Sequence, residues 1–224
     1  NAGELAEGEV LLGVDRFALT ANNISYAATG DLLGYWNFFP AASATMGIIP
    51  VWGFADVVLS KHGSIEVGER IYGYFPMATH LVVQPDHVNS GSFVDATAHR
   101  SGLPLIYNQY LRSAGDALYT RETEPLQMLL RPLFTTSFLL DDFMEDNAFF
   151  GAANVVLTSA SSKTALGMAY LLQKNRAARD VSYQVVGLTS VGNREFVEQT
   201  GCYDRVVCYD ELEALGGDET AVVV

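Results

Sequence analysis

Apolar and polar positions change their period a little past the middle of the chain. Up to residue 125, short apolar runs alternate with turn residues. Residues 9–17, 51–60, 69–74 and 78–84 read as strands, punctuated by Gly63, Gly68, Pro76 and Pro85. This pattern predicts an irregular, barrel-like β domain over residues 1–125. Beyond it, apolar positions recur at helical spacing through residues 126–130, 132–144, 165–175 and 194–200. Short continuous apolar runs at 155–157, 185–188 and 221–224 read as buried strands between or after the helices. Residues 126–224 are therefore expected to form an α/β domain. Residues 104–124 show no clear period and are expected to be a loop-rich linker. No internal repeat or low-complexity segment interrupts either half.

The sharpest pattern is VVLTSASSKTALG, residues 155–167, followed about 20 residues later by VVGLTSVGNREF, residues 185–196. A strand, a tight polar turn, a helix and a second strand are the unit on which dinucleotides bind, with the pyrophosphate at the helix N-terminus. Ser159-Ala160-Ser161-Ser162-Lys163-Thr164-Ala165 stands where a glycine-rich turn would stand, and only Ala165 meets the small-residue requirement of its last position. Small side chains still let backbone N–H groups approach a phosphate, and the hydroxyls of Ser159, Ser161, Ser162 and Thr164 add donors. Lys163 places a cation at a helix start, where the dipole disfavours one unless an anion binds there. The same residues also fit a plain α/β turn with Ser and Thr as helix caps.

Composition narrows the classes. About half of the 224 residues are hydrophobic and only 17% are charged, which implies a packed globular core rather than disorder. A net charge of −13 argues against nucleic-acid or anionic-membrane partners. No apolar run reaches membrane-spanning length, and residues 1–15 lack a basic segment followed by an apolar one. Cys202 and Cys208 are the only cysteines, so no disulfide framework is expected and a reducing, cytoplasmic setting is the default. His62, His80, His87 and His99 share no metal-ligand spacing. The chain starts without Met and ends in residues 221–224, read as a fully buried strand, so a fragment is expected.

Four places in order across the chain resemble the medium-chain dehydrogenase/reductase superfamily, in its zinc-free, quinone-reductase-like branch. They are GEVLLGV from Gly8, ALTANN with TGD from Ala18 and Thr29, VGERIYG with ATHLVV from Val67 and Ala78, and FTTS from Phe134. More narrowly, NFFPA, YGYFPMATHLVVQP, YNQYLR and TSASSKTALG resemble a little-characterised bacterial and fungal family within it. The resemblance implies a GroES-like β-barrel over residues 1–125. It implies a Rossmann sheet over 126–224, wound 3-2-1-4-5-6 and truncated here after strand 4, with 205–208 as strand 3.

The resemblance also assigns candidate residues. Zinc-dependent relatives carry a Cys where Thr20 stands and a His-Glu pair near Trp52-Gly53-Phe54, so no metal is implied. Asn22 and Asn23 fall on the segment lining the site in zinc-free relatives, where an amide donates to a substrate carbonyl. Capping of a helix that starts at Ile24 explains the same residues. Thr135 or Thr136 would face the nicotinamide, or simply pack in a helix. Tyr35 lies near the position of a proton-donating tyrosine in enoyl reductases, while Trp36, Phe38 and Phe39 read as pocket wall or core. At the end of the second strand no acid precedes Glu195. Ser190 and Arg194 could meet a 2′-phosphate, which favours NADP(H) over NAD(H).

These readings converge on a zinc-independent NADP(H)-dependent reductase of an activated C=C bond or quinone, acting on a small molecule, with a homodimer expected of the full-length form. A reductase-like protein that binds a nucleotide or acyl ligand without turnover fits the same serine-rich turn. A partner-binding protein using the aromatic surface is a third reading.

Overall fold

The computed structural model describes residues 4–43, 45–216 and 220–224. The chain divides into two compact units, Asn1–Leu129 and Leu130–Val224.

The first unit is built on one seven-stranded sheet. Its strands are β1 (Val10–Phe17), β2 (Pro50–Ser60), β3 (Arg70–Pro76), β4 (His80–Val83), β5 (Pro85–Asp86), β6 (Ser92–Asp95) and β7 (Gln109–Arg112). Their order is β4-β1-β2-β3-β7-β6-β5, and every pairing is antiparallel. The two edge strands, β4 and β5, are separated in the chain by Gln84 alone, so the sheet curls nearly shut. One face of each strand fills the interior with Val10, Leu12, Val51, Val57, Ile71, Phe75, Val83 and Phe93. That enclosure removes the exposed edge an open sheet of this length would present.

Residues 104–124 depart from the expected linker. A short helix, α2 (Leu105–Asn108), leads into β7, which sits inside the sheet between β3 and β6. The four residues of β7 are too few to show a period, and their ladder partners lie far off in the chain. A buried ion pair holds this segment. Arg100 Nη1 lies 2.8 Å from Asp95 Oδ2 and 2.8 Å from the Tyr110 hydroxyl, and both side chains of the pair are 1% exposed. The other terminal nitrogen, Nη2, donates to the Tyr107 carbonyl at 2.9 Å, which fixes α2.

α1 (Ala21–Ala28) begins three residues before the helix start read from the sequence, with Thr20 as its N-cap. After it, Gly30 lies under the indole of Trp36. A β-carbon there would meet the ring at 2.1 Å, so only glycine permits this packing.

The expected helices at 126–130 and 132–144 form one element, α3 (Glu124–Asp146), with Pro132 inside it. Proline costs a helix one hydrogen bond and a clash one turn back, but tertiary packing overrides that penalty here.

In the second unit, β8 (Asn154–Leu157), β9 (Gln184–Thr189), β10 (Arg205–Cys208) and β11 (Ala221–Val223) form a parallel sheet ordered β10-β9-β8-β11. α4 (Lys163–Asn175) connects β8 to β9, and α5 (Arg194–Gln199) connects β9 to β10. Met144, Phe149, Val155, Leu157, Met168, Leu172 and Val185 form the core between α3, α4 and the sheet. β11 is not the fully buried strand expected: Val223 is 64% exposed, because β11 is the edge strand and among the described residues pairs with β8 alone. Asp204 anchors the turn into β10, accepting from the Val185 N–H at 2.7 Å and from both terminal nitrogens of Arg176.

Candidate functional site

The sheet order of the second unit places β8 at its centre, with the chain crossing to one side through β9 and to the other through β11. The C-terminal ends of such strands open the crevice in which α/β proteins bind ligands. At the end of β8, Ser159 adopts a left-handed conformation (φ 49°) that glycine would adopt without strain. Its N–H donates to the Tyr209 hydroxyl at 2.7 Å, and the Ala160 N–H donates to the Leu188 carbonyl at 2.8 Å. Ala160 packs against Gly187 of β9, where a β-carbon would lie 3.0 Å from Ala160 Cβ and 2.8 Å from the Tyr203 ring. The close approach usually granted by a glycine in the turn is thus supplied from the neighbouring strand.

Ser162 caps α4, its hydroxyl accepting from the Ala165 N–H at 3.2 Å. The first-turn N–H groups of Lys163 and Thr164 have no intrahelical acceptor and remain suited to an anion. Asn193 Nδ2 donates to the Ser161 hydroxyl at 3.2 Å, drawing the loop after β9 onto the turn after β8. Ser159, Ser161, Ser162, Lys163 and Thr164 therefore share one strand-end region with Ser190, Asn193 and Arg194. Tyr209, just past β10, joins them. Sequence reasoning missed Tyr209, because only the parallel pairing of β9 with β10 carries it to the turn.

Arg194 is not free. Its Nε lies 3.1 Å from Glu198 and its Nη1 3.1 Å from Glu211. The sequence shows no acid before Glu195, yet folding brings the Glu211 carboxylate to the same place. A 2′-phosphate would have to displace that carboxylate from the guanidinium.

Thr135 and Thr136 do not offer their hydroxyl protons outward. They donate to the carbonyls of Arg131 and Pro132, one turn back on α3. The neighbouring Ser137 is the residue that reaches α4. It is fully buried, donates to the Thr164 carbonyl at 2.8 Å, and packs where Gly167 lacks a side chain.

In the first unit, Asn23 is committed to structure. Its Oδ1 accepts from the Thr20 N–H at 2.6 Å and its Nδ2 donates to the Pro50 carbonyl at 2.9 Å, at 4% exposure. Asn22, half-buried, interacts with the Tyr26 hydroxyl instead. Gly34 turns left-handed (φ 75°), and the single helical turn Tyr35–Asn37 presents Tyr35 to an aromatic cluster. Tyr26, Phe38, Phe39 and Tyr74 are its buried members, and Tyr35, Trp52 and Tyr107 are half-buried. Tyr35 lies 4.6 Å from Tyr26 between ring centres, and the Tyr35 and Tyr107 hydroxyl oxygens are 3.5 Å apart. Burial pushes the phenols of Tyr26, Tyr74 and Tyr107 above the ordinary tyrosine range, so they stay protonated donors at neutral pH.

Thr20 caps α1, and among the described residues no three His, Cys, Asp or Glu side chains are placed so as to hold a metal ion. No helix of the described residues is long and apolar enough to cross a membrane.

A family profile described as protein of unknown function, DUF2855, matches residues 17–224. The chain belongs to this family. No curated protein matches the DUF2855 chain. Among solved structures, CurA from Vibrio vulnificus is similar, at a TM-score of 0.57 and 13% identity over 96% of this chain and 53% of CurA. CurA in complex with NADPH aligns at 0.53. The quinone oxidoreductase from Coxiella burnetii aligns at 0.54 and 11% identity, over 100% of this chain and 61% of its own. The human synaptic vesicle membrane protein VAT-1 homolog-like protein aligns at 0.52 and 14% identity, over 99% and 60%. The DUF2855 chain thus shares its fold with part of each of these proteins, spanning between about half and three-fifths of their length.

Proposed function

We propose that this DUF2855 protein is a zinc-independent oxidoreductase that uses NADP(H) to reduce an activated C=C bond or a quinone. The observation that carries the reading is the 3-2-1-4 parallel sheet with the β8–α4 turn at its centre. A bound reduced nicotinamide supplies the hydride. The chain's own residues supply the rest: the first turn of α4 with Lys163 receives the phosphates, while Ser190 and Arg194 are the donors for a 2′-phosphate. In the aromatic cluster of the first unit, Tyr35 is the candidate proton donor, with the Asn22 amide beside Tyr26. Solved structures of this fold include CurA in complex with NADPH and a quinone oxidoreductase, which supports the reading.

One observation favours a second reading, a reductase-like protein that binds a nucleotide or acyl ligand without turnover. The Ser159 N–H and the Arg194 guanidinium both already have protein partners. Titration with NADPH and NADH, followed by loss of reduced-nicotinamide absorbance with a quinone and enone panel, separates the two. Binding with oxidation supports the reductase. Binding without oxidation by any acceptor supports the second reading. Absence of dinucleotide binding removes the reductase and leaves the second reading ahead, with an acyl ligand as its occupant.

A further inference from the structure

The aromatic cluster of the first unit holds more hydroxyl donors than its own contacts consume. Tyr35 and Tyr107 approach at 3.5 Å between oxygens, whereas a well-formed hydroxyl hydrogen bond closes to about 2.7–2.8 Å. Neither proton is well used at that distance. An acceptor oxygen about 2.7 Å from each hydroxyl completes a narrow triangle, receiving a hydrogen bond from both. The Tyr74 hydroxyl, on a fully buried residue whose ring lies 4.7 Å from Tyr107, makes no hydrogen bond among the described residues. Buried polar groups are normally paired, so this orphan marks the cluster as built for more than packing.

Both hydroxyls are held firmly in place. The Tyr107 backbone is tied by Arg100, whose guanidinium is itself locked to Asp95, and the Tyr107 ring meets Tyr74 and Trp52. Tyr35 is set by the turn at Gly34 and packs against Tyr26 with the rings tilted by 48°. The cluster members carry no formal charge, and the adjoining guanidinium of Arg100, 4.9 Å from the Phe39 ring and 5.6 Å from the Phe38 ring, is neutralised by Asp95 and donates from one nitrogen to the Tyr107 carbonyl. An environment of this kind disfavours a carboxylate, which would lose its hydration without a counter-ion. It suits a neutral oxygen that gains negative character as its molecule is reduced, because fixed neutral donors stabilise that charge where it develops.

We propose that the hydroxyls of Tyr35 and Tyr107 together form a two-donor site for one oxygen of a neutral, planar quinone or cyclic enone. The proposal deepens the reductase reading and rests on it for its catalytic meaning, but the binding it describes needs no dinucleotide. Tyr107 is thereby a substrate-binding residue, placed by the segment between the buried Arg100 and β7.

The test is titration of the protein with duroquinone, read by quenching of tryptophan fluorescence. The oxygen-free 1,2,4,5-tetramethylbenzene serves as competitor, and NADPH binding is measured separately on every sample. Tyr35→Phe and Tyr107→Phe keep both rings and remove one donor each. Each is expected to weaken duroquinone about five- to thirtyfold without altering competition by tetramethylbenzene. The double variant is expected to hold the quinone no more tightly than the hydrocarbon. Tyr170→Phe, on the exposed face of α4, controls for nonspecific effects. Unchanged duroquinone affinity in either single variant overturns the two-donor site. So does an equal loss for quinone and hydrocarbon, which marks a packing defect. Loss of NADPH binding with quinone binding intact counts against the reductase reading alone.

Discussion

The N–H of Ser159 donates to the phenolic oxygen of Tyr209 at 2.7 Å, so a residue past the third strand of the parallel sheet holds the turn after the first. Ser159 is left-handed at φ 49°, and this bond is one of the contacts that stabilise the geometry. Ser159→Gly is expected to be neutral or stabilising by up to ~1 kcal/mol, since glycine takes this conformation without a β-carbon clash. Ser159→Val should destabilise by about 1–2 kcal/mol, and Tyr209→Phe by roughly 1 kcal/mol through the lost acceptor. Urea unfolding midpoints measure all three. Valine tolerated as well as glycine would show that the turn is not held in this conformation.

Arg194 and Glu211 form the second relationship open to test. Arg194→Ala is expected to lower NADPH affinity by roughly tenfold or more while leaving NADH nearly unchanged. Glu211→Gln removes the carboxylate that competes with a 2′-phosphate, and should raise NADPH affinity severalfold. Lys163→Ala should weaken both dinucleotides together, because its place at the start of α4 meets phosphates common to the two. Parallel losses of NADPH and NADH on Arg194→Ala would remove its selective role.

Asp204 supplies a pH dependence. Burial raises its pKa, but the Arg176 guanidinium, the Val185 N–H and the Gln173 amide outweigh that and hold it below the ordinary aspartate range. A carboxyl whose folded pKa is depressed stabilises the fold above its unfolded pKa of about 3.9. That contribution is lost as pH falls through the folded value. Asp204→Asn should therefore cost about 1.5–3 kcal/mol at neutral pH, with the gap to the parent shrinking as pH drops below about 4. A difference that stays constant from pH 7 to pH 3 would assign the loss to packing.

Zinc independence is tested by elemental analysis of the purified protein. With Thr20 rather than a cysteine capping α1, the expected content is far below one equivalent. About one zinc per chain would overturn the assignment.

Where the chemistry is local, the sequence was readable. The apolar run 155–157, the small polar turn and the helical spacing from Ala165 all report interactions among residues within one turn or strand of each other. The β8–turn–α4 unit and the helix at Arg194 follow from that directly. The same holds for the four long strand signals of residues 9–84, where alternation repeats often enough to register.

Only the tertiary structure decided the rest, because the deciding partners are distant in the chain. β7 has four residues and no period, and it exists as a strand because β3 and β6 flank it. Pro132 stays inside α3 because packing outweighs its local penalty. Asn23 is spent on Pro50, 27 residues away, and Glu211 reaches Arg194 across 17. Tyr107 meets Tyr35 across 72 residues, by way of a buried Arg100 that no spacing rule would single out. Short-range periodicity records which face of a segment is buried. Which side chains then share that burial depends on how strands and helices are ordered, and that is set by the free energy of the whole packed unit.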